Sequence, residues 1–77
     1  MDTNKIDGLK RLAERKGWEY RNDYSGRFMF GDRCVGICGP NATAIIESAA
    51  RLGVKGARTD NMGLDYIVYW PSLQEVA

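Results

Sequence analysis

The sequence contains no histidine, and this absence excludes more chemistry than any other feature of its composition. Without histidine the chain has no Ser–His or Cys–His nucleophile pair, no histidine general base and no imidazole ligand for a metal ion. The glycine-rich signatures of the Walker and Rossmann phosphate-binding loops are also missing. We therefore expect no enzymatic activity, no bound metal and no cofactor.

The sequence also lacks any apolar run that approaches the about 18 residues needed to cross a bilayer. Its first residues, Met1 to Lys5, do not have the apolar core of a signal peptide. Cysteines are few, and in a chain without such a signal they are typical of reduced thiols in a cytosol. The sequence thus predicts a cytoplasmic protein that makes no contact with a membrane.

The only two cysteines, Cys34 and Cys38, lie in one predicted strand. Their spacing puts the Cα atoms about 13 Å apart. A disulfide needs Cα atoms within roughly 7 Å, and a zinc ion binds each cysteine sulfur at about 2.3 Å. The two cysteines of one chain are therefore too far apart to form a disulfide with each other or to share a zinc ion. We interpret both residues as small buried apolar side chains, with an intermolecular disulfide or metal binding as the alternative.

Neither sign of charge is in excess. The chain has eleven Lys and Arg residues and ten Asp and Glu residues, which give a formal net charge of +1. Near-neutrality argues against a protein that coats DNA. The 77 residues predict a single domain, 1–77. A chain of this size buries only about 60% of its unfolded surface on folding, so additional burial against a partner would increase its stability.

Apolar residues at helical spacing predict two amphipathic helices. The first runs from about Thr3 to Lys16 and ends at Gly17. The second begins after Asn41, whose side chain can cap it, and ends at Gly53. Each helix has one apolar face and one polar face, as expected for helices that cover a sheet.

Runs rich in β-branched and aromatic residues predict the strands Trp18–Arg21, Arg27–Phe30, Arg33–Cys38 and Leu64–Trp70. Lys55–Gly63 is predicted to be a loop, and Ser72–Glu75 a last helical turn. No internal repeat is recognisable. The pattern predicts an α+β two-layer sandwich in the order α-β-β-β-α-β. It consists of an antiparallel meander of three strands plus a C-terminal strand, with both helices on one face.

Two surfaces are candidates for binding a partner. Alternation in the strands directs most aromatic side chains under the helices (Trp18, Tyr20, Phe28, Phe30, Tyr66 and Trp70). The opposite face of the sheet then carries apolar and basic residues (Arg21, Arg27, Met29, Ile67 and Tyr69). The second candidate is the exposed side of the first helix, with its cations Lys10, Arg11, Arg15 and Lys16.

The segment Leu12–Trp18, followed by three predicted strands and a helix, resembles the layout of HicA-type toxins. Those proteins are small αβββα domains similar to double-stranded RNA-binding domains, so the resemblance implies an RNA-binding domain. The family carries its RNA-cleaving histidine soon after the first strand. The matching region here, Tyr24–Arg27, has no histidine, so RNA cleavage is not implied.

These observations favour a non-enzymatic module that binds another protein. Small phage and mobile-element inhibitors, including anti-CRISPR proteins, share the small size, near-neutral charge and lack of catalytic residues, and form one hypothesis. Nucleic-acid binding through the basic side of the first helix is the alternative. An enzyme is the least favoured interpretation, since Tyr24, Ser25 and Asp60 could act but show no catalytic pattern. A symmetric dimer through the open sheet face is a separate hypothesis.

Overall fold

The computed structural model describes residues 2–24 and 33–74. It contains two helices and a four-stranded antiparallel sheet, which confirms the predicted α+β class. Along the chain the elements are α1 (Asp2–Lys16), β1 (Glu19–Tyr24), β2 (Cys34–Gly39), α2 (Ala42–Arg51), β3 (Arg58–Met62) and β4 (Asp65–Trp70).

Both helices end at a glycine with a positive φ, at the two positions that the sequence predicted. After α1, Gly17 adopts φ +76° and the N–H of Trp18 donates to the Ala13 carbonyl at 2.8 Å. After α2, Gly53 adopts φ +82° and the N–H of Val54 donates to the Ala49 carbonyl at 3.0 Å. A left-handed glycine with this hydrogen bond is a Schellman motif, and it turns the next apolar residue back onto the core.

The helix N-cap predicted at Asn41 is confirmed. The Asn41 side chain accepts a hydrogen bond from the N–H of Ala44 at 3.2 Å, so an otherwise unpaired amide at the start of α2 has a partner.

The sheet has the strand order β1-β2-β4-β3, and every neighbouring pair is antiparallel. Both helices pack on one face of it, as predicted. α1 lies against β1 and β2, and α2 lies against β2 and β4. One buried cluster joins them (Ile6, Leu9, Leu12, Ala13, Val35, Ile37, Ile45, Ala49, Val54, Val68, Trp70 and Leu73). We call the opposite side of the sheet the outer face.

The strand pattern differs from the prediction in two places. The predicted strand Arg27–Phe30 lies outside the described residues. The segment Lys55–Gly63, predicted to be a loop, contains β3, so the observed order is α-β-β-α-β-β. Residues 71–74 form a turn in place of the predicted helical turn at Ser72–Glu75, whose last residue lies outside the described part of the chain.

The described elements form two halves with the same order, α1-β1-β2 and α2-β3-β4. In each half the second strand is inside, so β2 and β4 pair at the centre and β1 and β3 lie outside. Because the central pair is antiparallel and both helices share one face, the halves are related by an approximate two-fold axis through the sheet. The sequence alone showed no repeat.

Candidate interaction surfaces

The basic residues of α1 do not form one patch. Arg11, Arg15 and Lys16 are exposed, and Arg11 and Arg15 lie one helical turn apart. Lys10 is half-buried and turns towards the sheet, where its Nζ lies 5.5 Å from the centre of the Tyr20 ring. This contact is a cation–π interaction that covers the aromatic ring with the lysine stem. The exposed patch is therefore narrower than the sequence predicted.

Arg21 lies on the outer face, on the opposite side of the sheet from α1. Its neighbour Tyr20 packs towards the helices, so alternation along β1 directs Arg21 the other way. Its Nε lies 3.3 Å from a carboxylate oxygen of Asp23, and this hydrogen bond is the main reason that the pKa of Arg21 is raised. Arg21 therefore does not extend the basic patch of α1. Arg27 and Met29, predicted beside it, lie outside the described residues.

The outer face carries a second buried cluster of Cys34, Cys38, Ile67 and Tyr69, with Tyr24 packed against it. Tyr69 lies on the predicted face, but only 8% of it is exposed, so the expectation of an open aromatic surface was wrong at this residue. The Tyr24 ring explains the burial, since its centre lies 4.8 Å from that of Tyr69 with the planes tilted by 49°. Tilted packing at this distance is favourable for aromatic pairs.

Tyr24 also reaches across the sheet to β3. Its hydroxyl donates a hydrogen bond to a carboxylate oxygen of Asp60, so a residue of the first outer strand binds a residue of the other one. Gly36 of β2 lies on the same outer face, close to β4. A Cβ at Gly36 would lie 3.1 Å from Cδ1 of Ile67 and 3.2 Å from the Val68 carbonyl oxygen.

Both cysteines are buried and neither forms a disulfide within the described residues, as predicted. The Cys34 thiol donates to the Tyr24 carbonyl with a sulfur–oxygen distance of 3.1 Å. Burial raises the pKa of Cys38, Glu19 adds to this effect, and Arg21 opposes it. A raised pKa lowers the thiolate fraction, so Cys38 is a packing residue with low reactivity.

Exposed apolar side chains concentrate on the hairpin of β3 and β4, a surface that the sequence analysis missed. Leu64 is 98% exposed, Met62 is 45% exposed and Tyr66 is 38% exposed. We call these three residues the apolar tip. Tyr66 was predicted to lie in the core. Its position on the helix side of β4 is correct, but it is exposed because it lies at the turn end of β4, whereas Val68 and Trp70 further along the strand are buried under the helices.

The turn beneath the apolar tip has a defined shape. Met62 pairs with Asp65, so Gly63 and Leu64 alone form the turn. Gly63 has φ +88°, and Leu64, like every other non-glycine residue that the structure describes, has a negative φ, which identifies a type II′ turn. The Asn61 side chain accepts a hydrogen bond from the N–H of Gly63 at 2.8 Å. Leu64 is therefore held outwards by a fixed backbone.

The signal for this hairpin was present in the sequence but weak. A glycine at the first turn position between two strands is typical of a type II′ hairpin. The preceding residues, Arg58–Met62, show no alternation of apolar and polar side chains, because neither face of β3 is deeply buried. A strand of this kind resembles a loop in composition.

Comparison with known proteins adds no family to this description, because no protein-family model, curated protein or solved structure gives a significant match to the chain. Within residues 2–24 and 33–74, no group of three or more His, Cys, Asp or Glu side chains is placed to bind a metal ion. No helix among the same residues is long and apolar enough to span a membrane.

Proposed function

We propose that this chain is a non-enzymatic module that binds another protein through the apolar tip. The observation that carries the proposal is the exposure of Met62, Leu64 and Tyr66 together on one hairpin. Single exposed apolar residues are common on protein surfaces, but three within five residues of one hairpin, Leu64 at its turn and Met62 and Tyr66 on its two faces, are a feature of interaction sites. Methionine and tyrosine are also enriched at protein interfaces.

The rigidity of the turn supports the same interpretation. Gly63 and the Asn61 side chain fix the backbone, and the Tyr24–Asp60 hydrogen bond ties β3 to the rest of the outer face. A backbone segment that is already ordered loses little conformational entropy on binding, which favours affinity. Leu64 would act as an anchor that enters an apolar pocket of the partner.

A narrower form of the proposal is inhibition of an enzyme, as small phage and mobile-element inhibitors do. A small domain that places one apolar hairpin into a cleft could block that cleft without chemistry of its own. The two buried cysteines, which form no disulfide within the described residues, suit a reducing compartment, so we place this activity in the cytoplasm.

Site-specific photo-cross-linking in the native host tests the proposal. A photoreactive residue at position 64 should give one dominant protein adduct, because Leu64 would lie inside the interface. The same residue at position 47 is the control, since Glu47 is exposed on α2. Equal labelling from both positions would contradict the proposal.

Affinity for the cross-linked partner then provides the quantitative test. Leu64→Ser should weaken binding by about tenfold or more, as expected for a central apolar anchor. Leu52→Ser is the matched control, because Leu52 is an exposed leucine at the end of α2, away from the tip. An equal loss of affinity from both variants would show that the tip has no special role.

Nucleic-acid binding through α1 is the second candidate, supported by the exposed pair Arg11 and Arg15. A double variant, Arg11→Ala with Arg15→Ala, should weaken binding of labelled RNA or DNA. The salt dependence of the affinity should also fall, because fewer phosphate contacts mean that fewer counterions are released on binding. A wild-type chain that binds neither nucleic acid at low salt would reject this candidate.

A further inference from the structure

The outer edge of β3 has backbone groups that are free to pair with another strand. Met62 and Asp65 close the hairpin, so they form a hydrogen-bonded pair, and the pairs alternate from there along the ladder. Asp60 and Arg58 therefore direct their backbone groups towards β4. Thr59 and Asn61 direct theirs away from the sheet.

No strand covers this edge in the part of the chain that the structure describes, since β4 is the one strand hydrogen-bonded to β3 there. Thr59 and Asn61 are both exposed. An exposed edge with unpaired N–H and C=O groups is a template for strand addition. Natural edges are usually protected by charged side chains, so the charges on β3 decide what it can bind.

The charges of β3 are complementary to their own copy. Arg58 and Asp60 lie on the same side of the strand, on either side of Thr59. In an antiparallel pair of two β3 strands centred on Thr59, each Arg58 lies opposite Asp60 of the second copy. Opposite charges at facing positions stabilise a pair of strands, and the Thr59 side chains at the centre also form a favourable pair.

Arg58 and Asp60 have the capacity for this contact. Arg58 is exposed and makes no salt bridge with any residue in the described ranges. Asp60 accepts one hydrogen bond from Tyr24. A carboxylate has about four acceptor positions, so an additional bond from a guanidinium group is compatible with the Tyr24 contact.

The neighbouring register is unfavourable. Centring the pair on Asp60 would place Asp60 directly opposite its own copy, and like charges at facing positions are destabilising. Centring it on Asn61 would place Asp60 opposite Met62, which offers no charge. The distribution of charge along β3 thus selects the register centred on Thr59.

We propose that the partner of the β3 edge is a second copy of this chain, and that the two copies form a continuous eight-stranded sheet across a two-fold axis at Thr59. This dimer adds to the proposed function without depending on it. The two apolar tips would lie at opposite ends of the interface, so the dimer would present two binding sites. Two linked sites increase avidity for a target with two matching sites.

Sedimentation equilibrium over a concentration series tests the dimer. The wild-type chain should show a reversible monomer–dimer equilibrium. Thr59→Pro should be monomeric with an unchanged circular dichroism spectrum, because it removes an N–H that points away from the sheet. A wild-type chain that is monomeric at every concentration overturns the proposal, as does a dimer that Thr59→Pro leaves intact.

A charge exchange tests the register. Arg58→Asp should weaken self-association by at least about tenfold, because it places like charges opposite each other at both positions. Asp60→Arg should do the same. An equimolar mixture of the two variants should form a heterodimer, since opposite charges again face each other. Failure of the mixture to associate overturns the register.

The matched control is Arg11→Asp, which makes the same charge change on the exposed side of α1 and should leave the dimer unchanged. Photo-cross-linking at position 64 separates this proposal from the proposed function. A monomeric chain that still gives a dominant adduct through position 64 overturns the dimer and leaves protein binding supported. A dimer that gives no dominant adduct through position 64 supports the dimer and overturns protein binding through the apolar tip.

Discussion

The two halves of the molecule have the same order of elements but different exposure. In the N-terminal half, α1 covers β1, and Tyr20 on the helix side of that strand is half-buried with Lys10 over its ring. In the C-terminal half, the equivalent side chains of β3, Thr59 and Asn61, are exposed. One outer strand therefore packs a half-buried side chain against the core, whereas the same side of the other outer strand is exposed.

The difference in exposure between β1 and β3 has two causes, the position of the helices and the side chains on the helix side of each strand. α1 has 15 residues and packs on β1 and β2, whereas α2 has 10 residues and packs on β4 and β2, one strand further inside. The helix side of β3 carries only the polar residues Thr59 and Asn61, so it offers no apolar side chain for a helix to cover. A repeated topology thus combines a stabilising half with a half that keeps a strand edge and an apolar tip exposed.

The largest losses of stability are expected in the buried cluster to which both halves contribute. Leu9 on α1 and Ile45 on α2 are both fully buried in the one cluster that joins the halves. Leu9→Ala and Ile45→Ala should each lower the free energy of unfolding by about 2–5 kcal/mol, through lost burial and the cavity left behind. Urea denaturation followed by circular dichroism measures the loss. A small effect at one position alone would break the equivalence of the halves.

A smaller effect is expected at the seam between the halves. Gly36→Ala should cost about 1–3 kcal/mol, because the added Cβ would meet Ile67 and the Val68 carbonyl at distances that require movement. Combining it with Ile67→Val removes the nearest contact atom and should recover part of the loss. A double-mutant cycle in urea measures the coupling. Strict additivity would show that the contact is not the cause.

A local effect is expected where Tyr24 of one half binds Asp60 of the other. Tyr24→Phe keeps the ring beside Tyr69 but removes the hydroxyl, and should cost about 1 kcal/mol. Amide hydrogen exchange should accelerate in β3 more than in β2, because β3 loses an attachment to the outer face. Unchanged exchange in β3 would mean that the hydrogen bond does not hold the edge strand.

The smallest effect concerns the thiol of Cys38 in the central strand. Because burial raises its pKa, less thiolate is present at a given pH than in a solvated cysteine. In a Cys34→Ala background, labelling by a disulfide reagent at neutral pH should be slower for the native chain than for the urea-unfolded chain. The native rate should rise with pH beyond the ordinary cysteine pKa of about 8.5. Equal rates at neutral pH would contradict this expectation.

The sequence predicted those elements whose signals are local. Gly17, Asn41 and Gly53 mark helix ends through backbone conformation and capping, which depend on few neighbours. Alternation in β4 also placed Trp70 on the helix side and Tyr69 on the outer face correctly.

Exposure could not be predicted in the same way, because it depends on residues far away in the chain. Tyr69 is covered by Tyr24, whereas Tyr66 is exposed because it lies at the turn end of β4, beyond the buried part of the strand. The β3 strand itself was missed, since pairing with β4 rather than an apolar pattern gives it its structure. The apolar tip depends on that pairing and could not be recognised without it.

The antiparallel pairing of β2 with β4 has a kinetic consequence. β3 and β4 meet across a short turn, so their hairpin needs little loop closure, whereas β2 and β4 must close a loop that contains α2 and β3. Loop closure of this kind is a main determinant of folding rate. We propose that the encounter of the two halves limits the rate of folding, so Ile37→Val, at the centre of that pairing, should slow refolding in stopped-flow experiments.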